Sequence, residues 1–447
     1  MKIFLISLGC DKNLVDSEKM LGILFSRGHE FTDDESDADI IILNTCCFIG
    51  DAKEESIAEI ERLAAIKREG DLKLLIISGC LAQKYKEEIS AEFPEVDIIL
   101  GTMSVGSIGD IIDEALEKKA SDAGVISQYD PLDSKPYSNP LRSLTTGGHY
   151  AYLKIAEGCN KRCTYCIIPS LRGPYRSIPM EDLLKEAEDL AERGVKELIL
   201  VAQETTVYGT DIYGKKSLPE LLRKLCKIEG FRWIRILYAY PEEIDDEFID
   251  CIASEDKVCK YLDIPIQHCS DSILAKMGRK TTKASIESLI KKLRERVPGI
   301  ALRTSLITGF PGETQEDYEE LYRFVNEIEF ERLGVFTYSL DEDTPSAHFE
   351  GQVPEETAAA RRDELMELEQ AVIFDLNDSH VGEKLEVIIE GFLPEEGVYV
   401  GRTYRDAPDV DGLFFLESDR ELMTGDMVMA LVKESRGYDL FGEMINE

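Results

Sequence analysis

The sequence lacks any apolar run that approaches the roughly 20 residues needed to span a bilayer. The apolar segment near the amino terminus, residues 3–8, is too short for the core of a signal peptide. We therefore predict a cytoplasmic protein with no membrane partner. Disulfides are rare in that compartment, so we expect the 11 cysteines to be metal ligands, catalytic thiols or small buried hydrophobes.

Positive charge is also scarce. The 447 residues include 51 Lys and Arg against 88 Asp and Glu, which gives a net charge of −37. A chain this acidic repels nucleic-acid phosphates and attracts basic partners, so we expect no strong nucleic-acid binding. Acidity that serves only solubility is an equally acceptable interpretation of the composition. The hydrophobic content of 43% excludes wholesale disorder.

The chain is too long for one core, and its patterns divide it into three regions and a linker. Residues 1–118 alternate apolar strands with helical patterns, which is typical of a doubly wound α/β domain. A linker is predicted over 119–147, where turn signals such as Asn139-Pro140 accumulate. The predicted strands of the first region are 2–6, 39–43, 73–78 and 97–100, and its predicted helices are 15–27, 51–69 and 82–93.

The second region, 148–372, contains six βα-type units, which predict a partial TIM-like (βα)6 barrel. The third region, 374–447, contains five short strands separated by Gly and Asp, which predict a small five-stranded β-barrel. Its 18 acidic and 6 basic residues argue against phosphate binding. The predicted strands of the second region are 150–156, 196–203, 233–239, 261–267, 300–309 and 332–339.

Three cysteines follow the first predicted strand of the second region. Cys159, Cys163 and Cys166 have the spacing C-x3-C-x2-C. Three thiolates in one tight loop can hold three irons of a 4Fe–4S cube and leave the fourth iron open for a ligand. The alternatives are a structural zinc site, which would need a fourth ligand that does not lie nearby in the sequence, and three incidental cysteines, which are improbable within eight residues. The spacing therefore favours an iron–sulfur cluster.

This loop resembles the signature of the radical S-adenosylmethionine (SAM) superfamily. The resemblance implies that the open iron binds the methionine part of SAM and that one electron cleaves the cofactor to a 5′-deoxyadenosyl radical. It further implies that Tyr165 lies near the adenine, that Glu204 accepts from the cofactor's ammonium, and that Arg235 and Gly309 contact the ribose and adenine. Ordinary loop packing of Tyr165, a solvated helix-cap role for Glu204 and simple chain turning at Gly309 stay open as alternatives.

A second set of cysteines lies in the first region. Cys10, Cys46 and Cys80 each follow a predicted strand, 36 and 34 residues apart. The carboxyl ends of parallel strands meet at one edge of a sheet, so these thiols should converge on a three-ligand metal or cluster site. Three buried loop cysteines are the alternative. Cys47 competes with Cys46 as the ligand, since spacing does not separate neighbours.

The contexts of these cysteines resemble the amino-terminal domain of the methylthiotransferases. The matching segments are SLGCDKNLVDSE at 7–18, NTC at 44–46 and GC at 79–80, and the last region is similar to a TRAM domain. The resemblance implies a second 4Fe–4S cluster at Cys10, Cys46 and Cys80 that carries the sulfur to be transferred. It thus implies two 4Fe–4S clusters together with SAM as cofactors.

Within that family, the segment Leu8-Gly9-Cys10-Asp11-Lys12-Asn13 is similar to the RimO-type enzymes. That resemblance implies methylthiolation of the β-carbon of one aspartate in ribosomal protein S12, with one SAM methylating the sulfur and a second generating the radical. A reductant protein such as flavodoxin or ferredoxin would supply the electron. Two alternatives stay open: a tRNA adenosine methylthiotransferase of the same superfamily, and a non-catalytic iron–sulfur electron carrier.

Overall fold

The computed structural model describes residues 1–118, 124–138 and 141–445. The predicted turn at Asn139-Pro140 and the first five residues of the predicted linker, 119–123, lie outside the described residues. Within the described residues, no helix has both the length and the apolar character that crossing a membrane requires.

The described part of the first region forms a parallel sheet in the order β2-β1-β3-β4-β5-β6. The central strands β3 and β4 are buried throughout, because helices cover both faces and leave no solvent-facing side. The strands are β1 Lys2–Ser7, β2 Glu30–Phe31, β3 Ile40–Thr45, β4 Leu74–Gly79, β5 Ile98–Leu100 and β6 Ile126–Gln128. The helices are α1 Asp11–Ser26, α2 Gly50–Glu69, α3 Cys80–Lys84, α4 Lys86–Glu92 and α5 Ile108–Lys118.

Two predictions for this region need correction. Strand β6 lies inside the predicted linker 119–147 and pairs in parallel with β5, so part of the linker extends the sheet. The predicted helix 82–93 is two short helices, since Tyr85 leaves the helical conformation with φ −114° and ψ 36°. The doubly wound α/β class itself is confirmed.

The second region is an open arc of six parallel strands within the described residues, which confirms a partial barrel. The order β7-β10-β11 continues into β12-β13-β14 through the hydrogen bond from Cys259 N to Ile234 O, at 2.9 Å. The strands are β7 Tyr150–Lys154, β8 Ala156–Glu157, β9 Arg176–Ser177, β10 Glu197–Val201, β11 Trp233–Ile236, β12 Tyr261–Asp263, β13 Ala301–Thr308 and β14 Arg332–Thr337. The helices are α6 Ile168–Arg172, α7 Met180–Glu192, α8 Leu218–Leu225, α9 Asp246–Ser254, α10 Asp271–Lys276, α11 Lys283–Arg296, α12 Gln315–Ile328 and α13 Glu355–Ser379.

The carboxyl-terminal strands close into a barrel in the order β15-β16-β17-β19-β18, as the sequence predicts. The predicted boundary at 372–374 falls inside α13, a 25-residue helix that the sequence analysis missed. Its apolar residues form no continuous stripe, because it packs against both the partial barrel and the small barrel. The strands are β15 Lys384–Leu393, β16 Val398–Thr403, β17 Phe414–Glu417, β18 Met427–Arg436 and β19 Asp439–Met444.

The first region covers the carboxyl ends of the partial barrel's strands. Helix α1 lies against the first strand, β7, where Arg142 Nε donates to Glu18 at 2.6 Å. At the other end of the arc, Lys84 Nζ contacts Asp341, in the loop after β14, at 2.6 Å. Catalytic groups of such barrels lie at the carboxyl ends of the strands, so the first region covers the face where chemistry is expected.

The small barrel closes the opposite end of the arc through buried ion pairs. Glu197, at the start of β10, accepts from Arg235 Nε at 2.6 Å and from Arg402 Nη2 at 2.7 Å. Tyr261, at the start of β12, donates to Asp411 at 2.8 Å. These contacts lie at the amino ends of the strands, away from the cysteine loop, so we interpret this end as structural.

Replacing Glu197 by Gln should destabilise the protein by about 3–5 kcal/mol, since two buried guanidinium groups would lose their shared carboxylate. Burial alone would raise the pKa of Glu197, but Arg235 and Arg402 outweigh it and lower the pKa. The stabilisation is therefore present above the ordinary glutamate pKa and is lost as the pH falls through the lowered value. The emission of Trp233, the only tryptophan and 5% exposed beside this cluster, can follow unfolding.

Glu192→Gln is the matched control, because Glu192 is exposed at the end of α7. Equal denaturation midpoints for the two variants would contradict a structural role of the Glu197 cluster.

Candidate active site

The loop that carries Cys159, Cys163 and Cys166 is closed at its base by the antiparallel pair β8 and β9. Cys159 N donates to Gly173 O at 3.2 Å, and Cys166 N donates to Cys163 O at 3.1 Å. Cys163 contributes to the raised pKa of both Cys159 and Cys166, so the three thiols lie close together. The structure thus gathers the three predicted ligands on one loop at the carboxyl end of β7.

The chemistry of this donor set fits an iron–sulfur cluster. Burial raises the pKa of Cys159 to about 11 and also raises that of Cys166, so their thiolates need nearby positive charge, which iron supplies. In the described residues, no three His, Cys, Asp or Glu side chains converge tightly enough for a single metal ion. A cube takes one thiolate per iron and so spaces its ligands more widely than one ion does.

An aromatic and cationic group lies beside this loop. Tyr165 meets Phe310 edge to face, with 6.4 Å between ring centroids. The Arg279 guanidinium stacks over Tyr240 at 4.4 Å and is 6% exposed. Its Nε and Nη1 have no hydrogen-bond partner among the described residues. Its Nη2 donates to Pro265 O and lies 3.9 Å from Glu242, so an aromatic surface lies next to a cation with two free donors, which suits a ligand that has both a flat ring and a carboxylate.

Glu204 supplies the opposite charge on the same side. It is 1% exposed, accepts from Thr206 Oγ1, and lies 3.3 Å from Lys161 Nζ. Its Oε2 accepts no hydrogen bond from any described residue. Burial raises the pKa of Glu204 to about 7, and Lys161 opposes that rise. The carboxylate is therefore not a solvated helix-cap acid, which was the alternative interpretation, and Lys161 is the cation that lies against its Oε2.

Of the other two predicted cofactor contacts, Arg235 lies at the amino end of the arc, whereas Gly309 lies at the carboxyl end, directly after β13. Arg235 donates to Glu197 and to Tyr404 O at the amino end of the arc, so the prediction that it contacts the cofactor is wrong. A Cβ on Gly309 would stand 2.3 Å from Ala358 Cβ of α13, so this glycine is required by helix packing. This contact could not be anticipated from the sequence, because α13 was not predicted.

The second set of cysteines meets at the carboxyl edge of the first sheet. Gly9 has φ +86°, and a Cβ there would stand 2.8 Å from Cys46 Sγ, so only glycine fits beside this thiol. Burial raises the pKa of Cys46 to about 11, and Cys80 and Cys10 contribute to the rise. Cys47 packs in the apolar core between the sheet and α2, which also contains Cys80, and burial, Cys80 and Cys46 raise the pKa of its thiol. The close approach of Gly9 and the interaction with Cys10 favour Cys46 over Cys47 as the ligand.

One buried polar network connects the two sets. Arg172, the last residue of α6, donates to Asp16 at 2.9 Å and to Glu157 at 3.1 Å, and its Nη2 lies 3.8 Å from Cys80 Sγ. Glu157 stands two residues before Cys159. Lys154 Nζ binds the same two acids. The two cysteine sets therefore lie on either side of one charge cluster.

Sequence reasoning missed this network. Asp16 belongs to the segment 7–18, which was identified only by its resemblance, and α6 was not predicted. The network could have been suspected from charged residues in a segment that is predicted to be buried. Lys154 ends an otherwise apolar strand, and Glu157 follows three residues later. Charged residues there require partners, and those partners come from the other region.

Comparisons with known proteins agree with this geometry. Residues 2–101 match the uncharacterized protein family UPF0004, residues 153–325 the radical SAM superfamily, and residues 381–445 the TRAM domain. A radical SAM methyltransferase, TsrM from Kitasatospora setae, has a TM-score of 0.57 at 16% identity, with 77% of each chain covered. The cobalamin-dependent radical enzyme OxsB has a TM-score of 0.53 at 14% identity, covering 83% of this chain and 56% of that one. The fold and the cysteine loop thus define a radical SAM enzyme.

Full-length relatives define the family more narrowly. The ribosomal protein uS12 methylthiotransferase RimO of Lachnoclostridium phytofermentans is 59% identical, with 99% of each chain covered. The protein of the same name from Acetivibrio thermocellus is 50% identical over 100% of this chain and 99% of its own, and that from Clostridioides difficile is 47% identical with the same coverage. The chain belongs to the RimO family of methylthiotransferases.

The neighbouring cysteines 46 and 47 allow a matched test of the ligand set. Cys46→Ala should lower the iron content after anaerobic reconstitution from about eight towards about four per chain, because one cube would lose a ligand. Cys47→Ala should keep the full content, since we expect Cys46 and not Cys47 to be the ligand. Iron and sulfide assays measure both variants, and the reverse pattern would assign the ligand to Cys47.

Proposed function

We propose that this protein transfers a methylthio group to the β-carbon of one aspartate in ribosomal protein S12. We propose that it holds one 4Fe–4S cluster at Cys159, Cys163 and Cys166 and a second at Cys10, Cys46 and Cys80. The observation that carries the proposal is that two three-cysteine sets meet across a single buried network. A carbon radical must meet its sulfur before other reactants, so two such centres belong side by side.

The bound groups would supply reductive cleavage of SAM at one cluster and methylthio donation at the other. We assign the chain's own contributions by charge and shape. The Glu204 carboxylate binds the cofactor's ammonium, as a charge-assisted acceptor. The Arg279 guanidinium, through its free Nε and Nη1, binds the carboxylate of the cofactor's methionine part. Tyr165 packs near the adenine. Arg279 is an addition to the predicted set, and its orphaned nitrogens support the assignment.

Exclusion of water is the second contribution of the fold. The first region reaches from β7 to the loop after β14, and the small barrel closes the other end. A reactive site enclosed in this way limits side reactions with solvent. We therefore propose that the substrate loop enters through the open side of the arc, between β14 and β7.

The charge of the small barrel supports a basic protein as the substrate. Of the six basic residues in 374–447, Arg402 and Arg405 are buried, and Lys433 and Arg436 pair with glutamates. Asp406 and the Asp411 side chain are buried as well, so the outer surface keeps the acidic excess of the composition, which suits a basic ribosomal protein. We further propose a cytoplasmic reaction, with an electron from a reductant protein such as flavodoxin or ferredoxin.

One observation favours the second candidate, methylthiolation of tRNA. Phe415 and Phe441 stack at 4.8 Å on neighbouring strands, both partly exposed, and Arg436 lies over Phe441 at 4.5 Å. Aromatic and arginine platforms of this kind can stack on bases. Retention of tRNA by the purified protein at moderate salt, with no retention of S12, would favour this candidate.

The main test is mass spectrometry of S12 from cells lacking the gene and complemented with this chain. We expect a gain of one methylthio group on one aspartate with the unchanged chain. Cys159→Ala should abolish the gain, because the first cluster would lose a ligand. Cys226→Ala, which changes a cysteine outside both sets, should keep it. An unmodified S12 in cells that express the intact chain would refute the proposal.

A further inference from the structure

Arg172 has a division of contacts that the proposed reaction does not by itself require. One nitrogen, Nη1, donates to Asp16 of the first region and to Glu157 of the second. The other nitrogen, Nη2, donates to Asn13 Oδ1 and to Cys80 Sγ, the latter at 3.8 Å. The planar guanidinium thus donates to two carboxylates through Nη1 and to the thiol of a predicted cluster ligand through Nη2.

The acids alone do not explain an arginine at this position. Lys154 Nζ already contacts both Asp16 and Glu157, with 2.7 Å to the latter. A second buried cation, 2% exposed, is costly to desolvate unless its remaining donors are also used. Those donors point to the Asn13 amide oxygen and to the sulfur. A lysine could not make both sets of contacts, because it lacks the rigid fork.

We propose that Arg172 is a positioning residue that raises the reduction potential of the first-region cluster through its hydrogen bond to Cys80 Sγ. The inference rests on the proposed cluster at Cys10, Cys46 and Cys80. Reduction adds negative charge to a cluster, and a cationic donor to a ligand sulfur stabilises the reduced state. At the other set, the donor to Cys159 Sγ is the neutral Lys161 amide at 3.5 Å. This difference between a cationic donor at Cys80 and a neutral donor at Cys159 would make the reduction potential of the first-region cluster higher than it would be without Arg172, and so separate it from the potential of the other cluster.

The first-region cluster can be studied alone in a full-length chain that carries Cys159→Ala, Cys163→Ala and Cys166→Ala. After anaerobic reconstitution, a redox titration followed by electron paramagnetic resonance gives its potential. Adding Arg172→Gln should change the ratio of reduced to oxidised cluster at fixed potential about tenfold, which is about 59 mV for one electron, towards more negative values. Arg172→Lys keeps the charge and should shift the potential in the same direction by less.

Arg142 offers a matched control. It is also a buried arginine that joins α1 to the second region, but it binds Glu18, Glu186 and the Tyr152 carbonyl rather than a cysteine. Arg142→Gln should lower the stability of the chain and leave the potential unchanged. The comparison separates an effect at the sulfur from general loosening of the interface.

An unchanged potential in Arg172→Gln, or an equal shift in Arg142→Gln, would overturn the role of Arg172. If the Arg172→Gln chain does not assemble a cluster, the Arg172→Lys chain is measured in its place. An unchanged reduction potential in the Arg172→Lys chain would then overturn the inference. If the chain with only the three Cys159, Cys163 and Cys166 substitutions binds no iron at Cys10, Cys46 and Cys80, that result would instead overturn the proposed function. The two failures are therefore distinguishable by iron content.

Discussion

The interaction on which this molecule most depends is the buried cluster of Asp16, Lys154, Glu157 and Arg172. Two acids and two bases neutralise one another inside the interface between the first sheet and the partial barrel. Buried charges tolerate little displacement, because each lost contact leaves an uncompensated charge in a low-dielectric interior. The cluster therefore fixes the relative placement of the two regions, and with it the placement of the two cysteine sets.

A second group of buried charges does similar work at the other end of the arc. Arg235 and Arg402 converge on Glu197 and attach the small barrel to the amino ends of the strands. An open arc of six strands does not close on itself, so its interior must be covered from both ends. The first region and the small barrel provide those covers, and both are held by ion pairs whose geometry is directional. This division leaves the carboxyl end of the arc for chemistry and the amino end for stability.

The sequence could be interpreted furthest where the chemistry is local. The Cys159, Cys163 and Cys166 loop is compact, and its spacing alone indicates a cluster. The convergence of Cys10, Cys46 and Cys80 followed from the rule that parallel strands end at one edge, and the structure places them together. Tyr165 and Glu204 were identified by resemblance to a family, and both lie beside the loop. Arg235 was misassigned because strand position does not tell which end of the barrel a long side chain reaches.

The sequence by itself determined the pattern of each of the three regions: a parallel α/β sheet, six βα units and five short strands. It also determined that two sets of cysteines stand at strand ends. Periodicity and spacing are local properties, so they can be seen without knowing the fold. Only the tertiary structure decided that Cys46 lies against Gly9 and interacts with Cys10, why Gly309 is a glycine, and that Arg172 reaches from one region to a thiol of the other. Those facts depend on contacts between residues tens to hundreds of positions apart, and no local pattern records them.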